Sequence, residues 1–401
     1  MEKIKIDLIP NGYTKDGKLD KEKAYLISGR VAGVCYNQEG YFALENEPIE
    51  KSLARAQDTL YSQHHSVYEH INVTLNIKNL PKILAMVINN EKQFATSEKS
   101  TRYTFVEADR YDNYTKREEE LYEKWLNIFK IKINEKYPGV YKNFKIKTLA
   151  QENARYMVTV FLPTEMIYTV NLRQLNYIVS WMCDYTITAN YNDYFEKNLA
   201  EAMLIFIDEL NKLNLIEKEF MTNFKERELS LFKKRDKEEY FGDTYTTTYS
   251  ASFVALAHLH RHRTLDYEMD YTKDLGYYIP PLLRDDPLLV SEWLKDIESV
   301  QEIYPLGKLL EVTEQGKYDN FILKCKERLC THAQIETCDI TKETLYKYKQ
   351  ALEEKNHPLK DDIANYTHGA RCTFKDFTCV EDCKNKLGKR LERKIWVKVN
   401  W

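Results

Sequence analysis

Residues 244–263 read TYTTTYSASFVALAHLHRHR, and three textures follow one another within them. The Thr- and Tyr-rich start, TYTTTYS (244–250), has the composition of a strand. The run SFVALA then continues as an apolar helix. It ends in His258, His260, Arg261, His262 and Arg263, five basic-type side chains within six positions. Basic residues suit a helix C-terminus. So many at the end of a buried helix also call for an anionic partner, because desolvated cations are costly without one.

The same order occurs earlier in the chain. HINVTLNIK (70–78) alternates, with Ile71, Val73, Leu75 and Ile77 on one face and Asn72, Thr74, Asn76 and Lys78 on the other, as a half-buried strand does. Pro81 opens PKILAMVINNEKQ, a helix with proline in its first turn. A polar loop, ATSEKSTRYTF (95–105), follows. Strand, helix and polar loop at two places imply an internal repeat of about 170 residues. Between the copies, DYFEKNLAEAMLIFIDELNKL spaces Phe195, Leu199, Met203, Phe206, Leu210 and Leu213 as a helix. The charged stretch from about 215 to 240 reads as a solvated helix ending at Gly242-Asp243, a domain boundary. The expected organisation is a first domain over 1–214, a charged helical linker over 215–242, a second domain over 243–350 and a cysteine-containing tail over 351–401.

Several groups have the residue types that chemistry needs. Glu98, Ser100, Arg102 and Tyr103 place a carboxylate, a hydroxyl, a fixed cation and a stacking ring within six positions. Such a loop suits a nucleotide monophosphate, with Arg102 on phosphate; by itself it reads first as an ordinary polar loop with a surface arginine. Arg155 lies in an apolar helical context, which demands either an internal carboxylate or an anionic ligand. The segment NLR (171–173) opens another helix. Arg328, His332 and Glu336 fall four apart in RLCTHAQIE, one stripe on a helix, with Gln334 to the side. A salt-bridge ladder would use the same spacing.

Composition narrows the classes. The 59 Lys+Arg against 62 Asp+Glu leave a net charge of −3, which argues against a general binder of nucleic acid or membrane surfaces. No apolar stretch reaches the roughly 18 residues of a membrane span, and the N-terminal residues lack a signal-peptide core. A cytoplasmic protein with reduced thiols is the expectation. Cys330, Cys372, Cys379 and Cys383 are weak metal candidates, since their spacing matches no paired CxxC site. No Gly-rich phosphate loop, HExxH or G-x-S-x-G motif is present.

Taken in order, these pieces resemble the flavin-dependent thymidylate synthases. That family has a Glu-His pair before its first long strand, here Glu69-His70. A strand–helix unit then ends in Arg-His-Arg, followed by Glu-x-Ser-x-Arg-Tyr. The second half of that signature matches Glu98, Ser100, Arg102 and Tyr103. Ala154-Arg155 and Asn171–Arg173 match its later Ala-Arg and Asn-x-Arg elements, and GVCY (33–36) resembles an early Arg-Val-Ser/Cys-Tyr segment without its arginine. Where the first copy should read Arg-His-Arg it has Asn90-Glu91-Lys92, and where the family's final Arg-x-x-x-His belongs it has Met182 and Thr186. The second copy carries both, as Arg261-His262-Arg263 and Arg328-x-x-x-His332-Ala333-Gln334-x-Glu336, but has Asp266–Met269 in place of the serine–arginine half. Each copy keeps what the other lost.

The resemblance implies an α+β fold, an antiparallel sheet with long helices, in two tandem diverged copies, followed by a cysteine-rich tail. Family members are homotetramers whose sites draw on several subunits, so a fused pair implies a homodimer forming a pseudo-tetramer. It implies FAD held by Arg261, His262 and Arg263, with His70, Glu98, Asn171 and Arg173 completing the flavin pocket. Ser100, Arg102, Tyr103, Arg155, Arg328 and Gln334 would hold a pyrimidine deoxynucleotide monophosphate. The catalytic set would be His332, Arg328 and Ser100, with His332 moving a proton. Reduced flavin would pass a one-carbon unit from methylenetetrahydrofolate to C5 of the base, with NADPH as reductant, and dUMP to dTMP is the first expectation. A nucleotide hydroxymethylase for modified DNA bases, a non-catalytic nucleotide- or flavin-binding homologue and a metal enzyme built on the C-terminal cysteines are the alternatives.

Overall fold

The computed structural model describes residues 3–100, 115–139, 143–221, 227–234, 238–330 and 333–378. Its elements begin with β1 (Lys5–Leu8), β2 (Thr14–Lys15), β3 (Lys18–Leu19), α1 (Lys21–Gly33), α2 (Tyr41–Leu44) and α3 (Ile49–Tyr61). β4 (Asn72–Pro81), α4 (Lys82–Asn90), β5 (Phe94–Glu98), α5 (Lys116–Lys136) and α6 (Asn143–Ala154) come next. Then follow β6 (Pro163–Asn171), α7 (Leu172–Thr188), α8 (Tyr194–Lys212), β7 (Tyr240–Phe241), β8 (Thr244–Ser252) and α9 (Phe253–Leu259). The last are β9 (Asp266–Asp270), α10 (Pro287–Glu298), β10 (Leu309–Lys317), α11 (Tyr318–Arg328), α12 (Ile335–Glu354) and α13 (Lys360–Ile363).

These elements form two compact units, and the chain crosses between them more than once. Among the described residues, unit 1 takes 3–100 and 161–233, and unit 2 takes 115–160 and 234–378. A linear division at 214 and 242 therefore differs from the packing, because α5 and α6 belong with the C-terminal half. The reason lies in their apolar faces. Trp125 and Phe129 of α5 are fully buried and meet Trp293 of α10, with ring centroids 4.8 and 5.7 Å apart. Asp296 accepts a hydrogen bond from the Trp125 indole at 2.9 Å.

Each unit has a four-stranded antiparallel sheet with short-range strand order of one kind. In unit 1 the order is β1-β4-β6-β5, and in unit 2 it is β7-β8-β10-β9. The registers agree as well. Pro81 faces Pro163 where β4 hands over to α4, and Ser252 faces Leu309 where β8 hands over to α9. At the opposite ends, Asn72 faces Asn171 and Thr244 faces Lys317. One irregularity between Ile77 and Leu80 gives β4 its extra residue. The alternation in β4 works as expected: Val73, Leu75 and Ile77 are buried, and α8 packs against β1 and α4 through an apolar stripe that includes Phe195, Met203 and Phe206.

Two expected helices are absent among the described residues. The charged stretch after α8 carries a single short 3-10 turn, Lys218–Met221, and residues 227–234 are irregular with Leu229 and Leu231 buried. Apolar residues inside the charge run override its helical look, because burial outweighs weak intrinsic propensity. Arg328 and Glu336 do not share a helix either: α11 ends at Arg328 and α12 starts at Ile335. No helix among the described residues is long and apolar enough to cross a membrane.

Candidate functional site

In unit 2, a buried arginine and a half-buried one, distant in sequence, meet at one histidine. Arg155 begins the 3-10 turn Arg155–Met157 directly after α6 and is 3% exposed. Its Nη2 lies 3.3 Å from His258 Nε2, and its Nε donates to the Glu152 carbonyl at 3.2 Å. Arg328, in the last turn of α11, donates from Nη2 to the His258 carbonyl at 3.0 Å. Facing a guanidinium, His258 Nε2 must be the acceptor, so the neutral ring carries its proton on Nδ1. Gly307 lets the neighbouring chain come close to this turn; a Cβ there would lie 2.7 Å from Ile297 Cδ1 and 3.0 Å from Tyr156 Cβ.

A carboxylate network anchors the floor. Glu336, in the first turn of α12, accepts from the Ser252 amide and hydroxyl, both at 2.7 Å, and from Tyr156 Oη at 2.8 Å. Burial raises the Glu336 pKa in spite of those donors. Ser252 is also the N-cap of α9 and accepts from Ala255 N at 3.1 Å, so one carboxylate ties the starts of α9 and α12 together. Gln334 precedes α12, donates from Nε2 to Tyr156 Oη, and leaves its buried Oε1 without a partner among the described residues. Tyr156 and Ser252 are not among the candidates that the sequence offers, and His258 is there only as part of the basic run. The signal for Tyr156 was its place beside Arg155; nothing local marked Ser252 beyond its position as a cap.

The three residues of Arg261-His262-Arg263 take different environments. Arg263 is exposed and Arg261 half-buried, whereas His262 is buried. His262 Nδ1 lies 3.6 Å from Glu327 Oε2. Burial, aided by Arg328, Lys324 and His260, pushes its pKa down to about 2. His262 is thus neutral, and the cations of this corner are its two neighbours. Beneath it, Lys324 and Glu314 form a fully buried ion pair at 2.6 Å, with Tyr245 and Tyr249 each donating to Glu314 at 2.5 Å.

Unit 1 gathers a second group at one end of its sheet. Arg173 donates to Glu69 at 2.6 Å and to Tyr177 Oη at 2.7 Å, and Asn171 caps α7 by accepting from Gln174 N at 2.7 Å. Asn72, two residues after the exposed His70, pairs with Asn171 across the sheet. Glu98 lies elsewhere. It faces Met166, five residues along β6 from Asn171, which is about 17 Å at the rise of a strand. Its buried carboxylate is paired with Lys82. Half-buried Ser100 follows it at that same end. Arg102, Tyr103, His332, Cys379 and Cys383 lie outside the described residues. Cys330 is buried and Cys372 half-buried, and no group of three or more His, Cys, Asp or Glu able to hold a metal occurs among the described residues.

Residues 21–206 match the protein family described as thymidylate synthase complementing protein. The match takes in somewhat less than half of the chain. Over 148 residues the chain is 24% identical to the flavin-dependent thymidylate synthase of Pyrococcus furiosus and 22% identical to that of Pyrococcus abyssi. Each match covers 35% of this chain and 57% of the relative, so the chain spans little more than half the length of these curated thymidylate synthases. Among solved structures, a UMP/dUMP methylase from Streptomyces cacaoi bound with 5-Br dUMP overlaps 53% of this chain at 15% identity and a TM-score of 0.30. Thymidylate synthase X from Helicobacter pylori with FAD and dUMP overlaps 54% at 18% identity and a TM-score of 0.31. The matched segment runs from α1 into α8 and includes Glu69, His70, Glu98, Ser100, Arg155, Asn171 and Arg173.

Proposed function

We propose that this chain is a flavin-dependent transferase that adds a one-carbon unit to C5 of a pyrimidine deoxynucleotide, with dUMP as substrate and methylenetetrahydrofolate and NADPH as co-substrates. The observation that carries the reading is the convergence of Arg155 and Arg328 on His258 beside the cationic Arg261 and Arg263. Four guanidinium groups and a neutral imidazole are a donor set for phosphate and pyrophosphate, not for a cation. The match of 21–206 to the family supports the choice of a flavin and a nucleotide. When bound, the flavin supplies the carrier and redox chemistry.

The protein's own share is positioning. Arg155 and Arg328 hold phosphate or the base edge, and His258 keeps the two guanidiniums apart and aimed. The Tyr156–Glu336 network fixes the Gln334 amide so that its carbonyl oxygen is left to accept an N–H from the base. Ser100, Arg102 and Tyr103 supply the serine–arginine half of the site, His332 the proton, and His70, Asn171 and Arg173 the flavin pocket, as the resemblance implies. The matching sheet order and register support two diverged copies. Counting from the paired strand ends sets Arg261, His262 and Arg263 at the positions of Asn90, Glu91 and Lys92, and Arg328 at that of Met182. A homodimer would then assemble one kind of composite site.

The first test is the visible absorbance spectrum of the purified protein, before and after adding dUMP and then dCMP. Bound-flavin bands that shift with dUMP alone are expected. A colourless protein that takes up no added FAD and responds to neither nucleotide would overturn the reading, and product analysis separates methyl from hydroxymethyl transfer.

A further inference from the structure

The corner of unit 1 at Asn90 and Glu91 is filled by the protein's own chain. Glu91 is 1% exposed and accepts from Arg227 Nη2 at 2.6 Å and from the Ser230 amide at 2.5 Å. Asn90 Nδ2 donates to Ser230 Oγ at 2.8 Å. The Arg227 guanidinium also lies 3.5 Å from the centre of the Trp181 ring, a cation–π contact. Leu229 and Leu231 are buried, and Phe232 stacks on Tyr185 at 5.3 Å between ring centroids. Residues 227–232 are thus held by a half-buried arginine on a buried carboxylate, an aromatic platform and two buried leucines, all within unit 1.

Those contact positions are the counterparts of the cationic corner in unit 2. Glu91 stands where unit 2 has His262, Asn90 where it has Arg261, and Trp181 where it has Glu327, which faces His262. A buried carboxylate at this place repels phosphate and favours a cation, and the cation it holds is Arg227. We propose that residues 227–232 are an internal plug that closes this corner of unit 1 against anionic ligands, leaving one cationic corner per chain. The ligand class rests on the flavin-nucleotide reading; the plug itself rests on the contacts just given. It explains why a charge-rich connector carries Leu229, Leu231 and Phe232 at close spacing, and how unit 1 tolerates the loss of its cations without an empty pocket.

The test uses the full chain, its Glu91→Ala variant and, should that fold poorly, Arg227→Ala. Two quantities are read: hydrogen exchange over 227–232, and flavin bound per chain at saturation with FAD. The wild type is expected to protect 227–232 and to bind one flavin per chain. In either variant exchange over that segment rises about tenfold or more, as loss of a charge-assisted hydrogen bond requires, while β6 stays protected. Unprotected exchange over 227–232 in the wild type would overturn the plug, and so would two flavins per chain. A chain that binds no flavin but still protects the segment would sink the flavin-nucleotide reading and leave the plug standing.

Discussion

His262 is a basic-type residue that behaves as a neutral one. Its imidazole is 5% exposed, its Nε2 has no partner among the described residues, and burial sets its pKa at about 2. An unfolded histidine titrates near pH 6.5. Above that pH both states are neutral and His262 adds no pH dependence. Below it the unfolded chain binds a proton that the folded one refuses, so stability falls by about 1.4 kcal/mol per pH unit down towards the folded pKa. His262→Gln should therefore lose less stability than the wild type between pH 6.5 and 4.5 in urea denaturation. Parallel curves for the two proteins would mean that His262 is charged in the fold. Tyr156 offers a second residue-level check, because its hydroxyl both accepts from Gln334 and donates to Glu336. Tyr156→Phe leaves a buried carboxylate one donor short and frees the Gln334 amide. It should cost about 1–3 kcal/mol and weaken the spectral response to dUMP; an unchanged denaturation midpoint would show that the hydroxyl bonds contribute nothing net.

At the scale of elements, the second sheet hides a charge pair that no spacing rule announces. Lys324 of α11 and Glu314 of β10 are both fully buried, and the Tyr245 and Tyr249 hydroxyls complete the set of donors around the carboxylate. Removing one charge strands the other. Lys324→Met should cost about 3–5 kcal/mol, whereas the double change with Glu314→Leu should recover much of that loss. A double variant as unstable as the sum of the singles would show that the pair has no such coupling. Sequence patterns did locate the elements around it. Strand alternation at 71–77, the apolar runs of α4 and α9 and the stripe of α8 are local periodicities, and local periodicity survives into the fold because one face of each element is buried. The misread pieces were those set by distant partners. A charge run hides the buried Leu229 and Leu231, which lie between Arg227, held by Glu91 and Trp181, and Phe232, stacked on Tyr185. The stripe from Arg328 to Glu336 is interrupted where α11 ends, with Glu336 bound to Ser252 and Tyr156 at the start of α12. Arg155 was legible as a buried cation; His258, its neighbour, was not, since nothing in its own surroundings distinguishes it from the histidines beside it.

At the scale of the whole molecule, the interleaved path of the chain makes a prediction about cutting it. A protease site inserted after Lys234 would give an N-terminal fragment that contains unit 1 but also carries α5, α6 and the Arg155–Met157 turn of unit 2. These pieces are deeply held by the C-terminal part. Trp125 and Phe129 pack on Trp293, Tyr156 donates to Glu336, and the backbone bonds Leu306 N to Val158 O and Val160 N to Tyr304 O, at 2.7 and 2.9 Å, bind the following strand-like residues. Three large rings each burying on the order of 150–250 Å² contribute roughly 4–6 kcal/mol apiece. That sum exceeds the roughly 8 kcal/mol of micromolar association even after several kcal/mol of lost freedom. The cut chain should therefore elute from a sizing column as a single species with the mass of the intact protein, and its fragments should part only in denaturant. Two domains in simple sequence would instead fall apart once cut. Fragments that separate under native conditions would mean that α5 and α6 are not integral to unit 2, and Arg155 would then no longer be held in place beside Arg328.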